Sequence, residues 1–132
     1  MSIIVDDYSI TWARRYIREA EADLSIAEGS PIPAVSIRLA LLAMRKSQTA
    51  VYYSLGDPEY LASLVSQSIA NEKKVKDTVM HILVQTERLI QRDNRLVEKL
   101  DKQPLVEAAH QLLEIASKIV DLVIDGAEEQ SA

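Results

Sequence analysis

The chain has no cysteine and no phenylalanine, and only three glycines, four prolines and one tryptophan among its 132 residues. The first absence removes thiolate catalysis, thiolate zinc sites and disulfides together. Neither a nucleophile-elbow glycine pattern, nor a phosphate loop, nor a dinucleotide fingerprint is present, and the Glu-x-x-His helices of di-iron bundles are missing. The reading that follows is a non-enzyme that needs no cofactor and no metal. Strand-like alternation is also lacking, while strong helix formers abound, so the chain is predicted to be all-α. The longest apolar run is interrupted by Arg38, Arg45 and Lys46, well short of a membrane span. The segment Met1-Ser-Ile-Ile-Val-Asp-Asp7 reads as neither signal peptide nor anchor. A soluble, cytoplasmic protein with no membrane partner is the expectation.

What is present is aliphatic. Hydrophobic residues make up 48% of the chain, and without Phe the core must come from Ala, Leu, Ile and Val. Small Ala side chains let helices approach closely, and the branched aliphatics fill the gaps. The length suits one domain, expected over residues 1–126, burying roughly 65–70% of its unfolded-chain surface. Residues 127–132 are expected to form a disordered acidic tail.

The stretch from Ala34 to Leu55 is the most informative. Leu39, Ala40, Leu41, Leu42, Ala43 and Met44 are consecutive, and at 3.6 residues per turn they point in every direction. A helix apolar on all sides must be covered on all sides. It lies either at the middle of a bundle or between a bundle and its copy.

The first helix is predicted to start near Ser9 or Thr11 and stop at Gly29, with Ala13, Ile17, Ala20, Leu24 and Ala27 as its buried stripe. Ser30-Pro-Ile-Pro33 connects it to the second, from about Ala34 to Leu55. Gly56-Asp57-Pro58-Glu59 ends that helix and caps the next. From Pro58 to Asp101 no glycine or proline intervenes. An unbroken helix there would be ~65 Å long, against ~33 Å for the second. Ile82, Leu89 and Leu96 recur every seven residues, as do Leu83, Ile90 and Val97, which favours a long packed helix over 72–100. The segment either bends or breaks, at Asn71 or at Arg92-Asp93-Asn94 where helix propensity dips, or stays long with its overhang packed on another subunit. A break or bend near residue 71 is the expectation. Pro104 opens the last helix and Gly126 stops it. The fold predicted is an antiparallel up-and-down bundle of four principal helices, the third long and either whole or broken in two.

Net charge is −5, which opposes non-specific nucleic-acid binding by the whole surface. Residues 103–132 are acidic apart from Lys118, whereas 30–56 carry Arg38, Arg45 and Lys46 and no acid. Two readings stay open: solvated faces of opposite sign, or docking of the acidic last helix on a basic neighbour in the same or another copy.

Antiparallel packing of the first two helices brings Tyr8, Trp12 and Tyr16 towards Tyr52, Tyr53 and Tyr60. Arg14, Arg15, Arg18, Arg45 and Lys46 belong to the same half of the hairpin. Rings with cations could stack bases and neutralise phosphates, or simply plug one end of the bundle. The candidate ligand or partner surface is Trp12, Arg15, Tyr16, Arg45, Tyr52, Tyr53 and Tyr60. Arg88, Arg92, Arg95, Lys99 and Lys102 follow one helical stripe, either a phosphate-tracking ridge or an ion-paired face. His81 follows Asp77 by four and His110 precedes Glu114 by four, a local pairing that does not amount to a metal site.

Ala20-Glu-Ala-Asp-Leu-Ser-Ile-Ala27, followed by a connector and the apolar helix ending Ser54-Leu-Gly56, resembles the opening hairpin of HEPN-type domains and of small archaeal helical-bundle proteins. The resemblance covers residues 11 to 56. It implies a helical bundle and a homodimer. HEPN ribonucleases place an Arg four to six residues before a catalytic His. Here those positions hold Val75-Lys-Asp77 before His81 and Pro104-Leu-Val106 before His110, so no catalytic residue carries over. The function expected is a helical interaction protein acting as a homodimer, with an unidentified protein partner open. The alternative is a nucleic-acid- or nucleotide-binding module using the aromatic and basic end.

Overall fold

Three of the helix starts are fixed by an aspartate side chain that accepts from a free backbone N–H. The computed structural model describes residues 6–72, 74 and 76–131, with 127–131 as backbone. Segment 1–5, read above as neither leader nor anchor, lies outside the described residues. Asp6 caps α1 (Asp7–Gly29) by accepting from the Ser9 N–H at 2.8 Å. The helix therefore begins before the predicted Ser9 or Thr11, because an aspartate slightly upstream serves as well as a hydroxyl. The same bond holds the Asp6 carboxyl below its usual value.

Pro33 opens α2 (Pro33–Ser54), and Gly56, at φ 100°, takes the left-handed turn that ends it. Asp57 then caps α3 (Pro58–Ala70), accepting from Tyr60 N at 3.0 Å. The break expected near residue 71 is there: Asn71 ends α3, and Glu72 sits at φ 50°. Asp77 starts α4 (Thr78–Arg95) by accepting from Met80 N at 2.9 Å. The helix expected over 72–100 is thus shorter at both ends. Its heptads hold only to Ile90, which is buried with Leu83, while Leu96 is exposed. Asn94 donates to the Ile90 carbonyl at 2.9 Å, a side-chain bond that competes with the backbone ladder. A 3₁₀ turn, Val97–Lys99, follows.

The last helix, α5 (Lys102–Ser131), starts before Pro104 and passes through Gly126. Glycine in a helix interior costs only about 1 kcal/mol relative to alanine, too little to force an end. The backbone of the expected 127–132 tail is helical as far as Ser131, and Ala132 lies outside the described residues.

The described residues thus form five α-helices and one 3₁₀ turn, without a strand. None of these helices is long and apolar enough to cross a membrane. Side-chain pairing gives the directions. Lys46 meets Glu19 and Asp23 while Tyr53 meets Trp12, so α2 runs antiparallel to α1. His110 meets Glu28, and Arg14 lies beside Asp121, so α5 also runs antiparallel to α1. Arg45 meets Glu87 while Arg38 faces Asn94 across a groove, so α4 is antiparallel to α2.

Helix α2 lies at the centre, packed against α1, α5 and the α3–α4 hairpin. Its small residues set the spacing. Ser36, Ala40, Ala43, Ser47 and Ala50 are all fully buried, and Ser36 Oγ donates to the Ala27 carbonyl at 2.7 Å. That carbonyl belongs to the last turn of α1, where no intrahelical donor remains. The predicted α1 stripe from Ala13 to Ala27 is buried throughout. Enclosure of α2 is incomplete within one chain: Leu42 is 44% exposed and Leu39 half-buried, although Ala43 is fully covered.

Candidate interaction site

Tyr8, Trp12 and Tyr16 are spaced by one helical turn each, so their rings line one edge of α1. Tyr53 comes up beside them from α2. Its ring stacks on Trp12 at 6.2 Å between centroids and on Tyr16 at 5.6 Å. Trp12 also meets Tyr16 at 5.8 Å and the edge of Tyr8 at 6.1 Å. These separations are those at which aromatic pairs attract. Burial raises the pKa of the Tyr53 phenol, with the neighbouring Tyr16, Tyr8 and Glu59 adding to the effect. The cluster remains partly open to solvent, with Tyr8 exposed and the other rings half-buried.

The structure brings together only part of the expected surface. Tyr52 and Tyr53 are consecutive, and about 100° of helix rotation sends them to different sides. Tyr52 is buried near Glu87 and Arg45, its phenol pushed up to about 12 by burial and by Glu87, with Arg45 opposing. Tyr60 is exposed on α3. The cations are dispersed as well. Arg15 stays with the rings, its guanidinium carbon 4.9 Å from the Trp12 centroid and its Nε 3.2 Å from Glu19. Arg14 and Arg18 turn towards α5, near Asp121. Arg45 pairs with Glu87 on α4, and Lys46 pairs with Asp23 at 2.8 Å and Glu19 at 3.4 Å.

Two polar ties escaped sequence reading. Lys46, Asp23 and Glu19 form an ion-paired band across the α1–α2 groove. Burial lowers the Lys46 pKa, but the two carboxylates outweigh it and hold the ammonium above 10.5. Gln48, fully buried, donates to Glu87 at 3.0 Å. The only signal in the sequence was a Gln and a Lys on a largely apolar helix.

The basic stripe expected from Arg88 to Lys102 is not one surface. The helix ends at Arg95, Arg92 leans on its neighbour Asp93, and Lys102 donates to the carbonyls of Ser30 and Glu28 at 2.9 and 3.4 Å. His110 pairs with Glu28 rather than Glu114, which takes Lys118 at 3.3 Å, and Asp77 is occupied as a cap. Among the described residues no three His, Cys, Asp or Glu side chains are placed to hold a metal ion. Asp121 of α5 lies beside Arg14 and Arg18 of α1, whereas Arg45 and Lys46 of α2 find their acids on α4 and α1. Comparison of the chain with protein-family models, with curated proteins and with solved structures finds no match.

Proposed function

We propose that the protein is a non-catalytic helical interaction module that acts as a homodimer. In this reading α1, α2, α4 and α5 form an antiparallel bundle, with α3 as a short link on its side. The observation that carries it is the state of α2. This helix is enclosed by its own chain on three sides and yet keeps Val35 exposed on the fourth, with Leu42 exposed at the rim of the groove towards α4. Apolar surface of that kind on a central helix is the usual mark of an association site. Two-fold pairing is the commonest way to cover it. The resemblance of the α1–α2 hairpin to HEPN-type domains points the same way, since it implies a homodimer and carries no catalytic residue over.

The nucleic-acid alternative has less support. It needs cations gathered at the rings, and Arg15 alone of Arg14, Arg15, Arg18, Arg45 and Lys46 lies over one. Multi-angle light scattering tests the proposal. A mass near twice the 14.7 kDa of the chain is expected, and a monodisperse mass of one chain would refute it.

A further inference from the structure

The α1–α2 hairpin has a second periodic face beside its buried one. On α2, Val35, Leu39, Leu42, Lys46, Thr49 and Tyr53 are spaced four, three, four, three and four residues apart. All are exposed or half-buried. On α1, Tyr8, Trp12, Arg15, Glu19, Ala22 and Ile26 repeat the same spacing, again without a buried member. Each series is the seam of a helix that packs at a shallow angle against another helix. The two seams share one face. Tyr53 stacks on Trp12 at one end, and Lys46 joins Glu19 in the middle.

We infer that this double seam is the docking surface for a second copy of the same chain, the two hairpins forming an intermolecular layer of helices. The inference rests on the homodimer reading above and assigns its surface. Three observations select a copy as occupant.

The first is length. The seams run almost the whole of helices of 23 and 22 residues, so an equal pair of helices covers them from end to end. The second is area. A face about 33 Å long and ~20 Å wide projects onto about 650 Å², before side-chain relief is added. A standard interface buries about 800 Å² per partner. The third is charge. The middle band is already neutral, with Arg15 and Lys46 held by Glu19 and Asp23. A strongly acidic or basic partner would find no field to answer, whereas an identical face brings no uncompensated charge with it. Apolar positions flank the band on both sides: Trp12 and Tyr53 at one end, Leu39, Leu42, Val35 and Ile26 at the other.

Sedimentation velocity on the full chain and three variants tests the assignment. Val35→Glu and Leu42→Glu each place a charge in the seam at a position accessible in the single chain. The first also lies in the opening turn of α2, where the helix dipole favours an anion. Leu122→Glu, at a more exposed position on α5, is the control. Each seam variant is expected to weaken the dimer more than tenfold with its helical circular dichroism unchanged, while Leu122→Glu stays dimeric. Should Leu42→Glu lose helical signal, Val35→Glu decides. A dimer that survives both seam variants, or that Leu122→Glu dissociates, overturns the assignment and leaves the homodimer standing. A monomeric wild type defeats both.

Discussion

Gln48 Nε2 donates to Glu87 Oε2 at 3.0 Å, tying the middle of α2 to the middle of α4 across 39 residues of sequence. Arg45 reaches the same oxygen, and Gln91 donates to the other at 3.1 Å. Gln48 is fully buried. Removing its acceptor strands a buried donor, which costs about 1–3 kcal/mol. Glu87→Ala is expected to lose that much in urea titration, with α4 amides exchanging faster than those of α1.

The same carboxylate gives a pH dependence. Burial pushes the Glu87 pKa up, but the bonds from Gln48, Arg45 and Gln91 and the charge of Arg45 outweigh burial and hold it below 4.5. A carboxyl depressed on folding stabilises the folded state fully above its unfolded value and loses that contribution as pH falls through the folded one. Stability of the wild type should therefore decline below about pH 4.5 more steeply than that of Glu87→Gln. Parallel curves for the two proteins would contradict this.

Tyr53 and Trp12 form a stacked pair between helices, and such pairs contribute about 0.5–1.5 kcal/mol beyond area. A double-mutant cycle with Trp12→Leu and Tyr53→Leu should return a coupling of that size. Trp12 is the sole tryptophan, so its emission should also shift in Tyr53→Leu. Zero coupling would mean that the rings merely lie near each other.

Much of this architecture was legible in the sequence because it is local. The four-three stripe of α1, the Gly56-Asp57-Pro58 turn and the break after Ala70 all follow from side chains acting on their own backbone. What was not legible depends on partners far away in sequence. Glu87 with Arg45 is separated by 42 residues and Glu28 with His110 by 82, and no periodicity marks either. Neighbours on a helix point about 100° apart, so Tyr53 joins the α1 rings while Tyr52 turns to Arg45 and Glu87. The end of α4 was legible only as an alternative, in the dip of helix propensity at Arg92-Asp93-Asn94. The heptad continues to Leu96 and Val97 in sequence, but Asn94 bonds its own helix and the ladder stops at Arg95.

Glu72 holds φ at 50°, a left-handed conformation that costs an L side chain roughly 1–2 kcal/mol. Glycine adopts it freely, at the expense of more entropy in the unfolded chain. Glu72→Gly is expected to stabilise the protein by about 1 kcal/mol, read as a raised thermal midpoint. A lowered midpoint would mean that the turn is not left-handed.

Ser36 lies in the contact between α1 and α2, its hydroxyl bonded to Ala27 O at 2.7 Å with no exposed surface. Ser36→Ala forfeits one hydrogen bond, about 1 kcal/mol. Ser36→Leu must also force the helices apart, adding about 1–3 kcal/mol. The order Ser, Ala, Leu in chemical denaturation is the signature expected of close helix approach, and equal losses would argue against it.

The central claim is that α2 is wrapped by its own chain on three sides and by a twin on the fourth. Solvent paramagnetic relaxation of the Val35 and Leu42 methyl groups, measured across a dilution series, tests it most directly. Both methyls should be shielded at high concentration and become accessible on dilution, while those of Val51 stay shielded throughout. Val35 and Leu42 methyls that are equally accessible at every concentration would contradict the account.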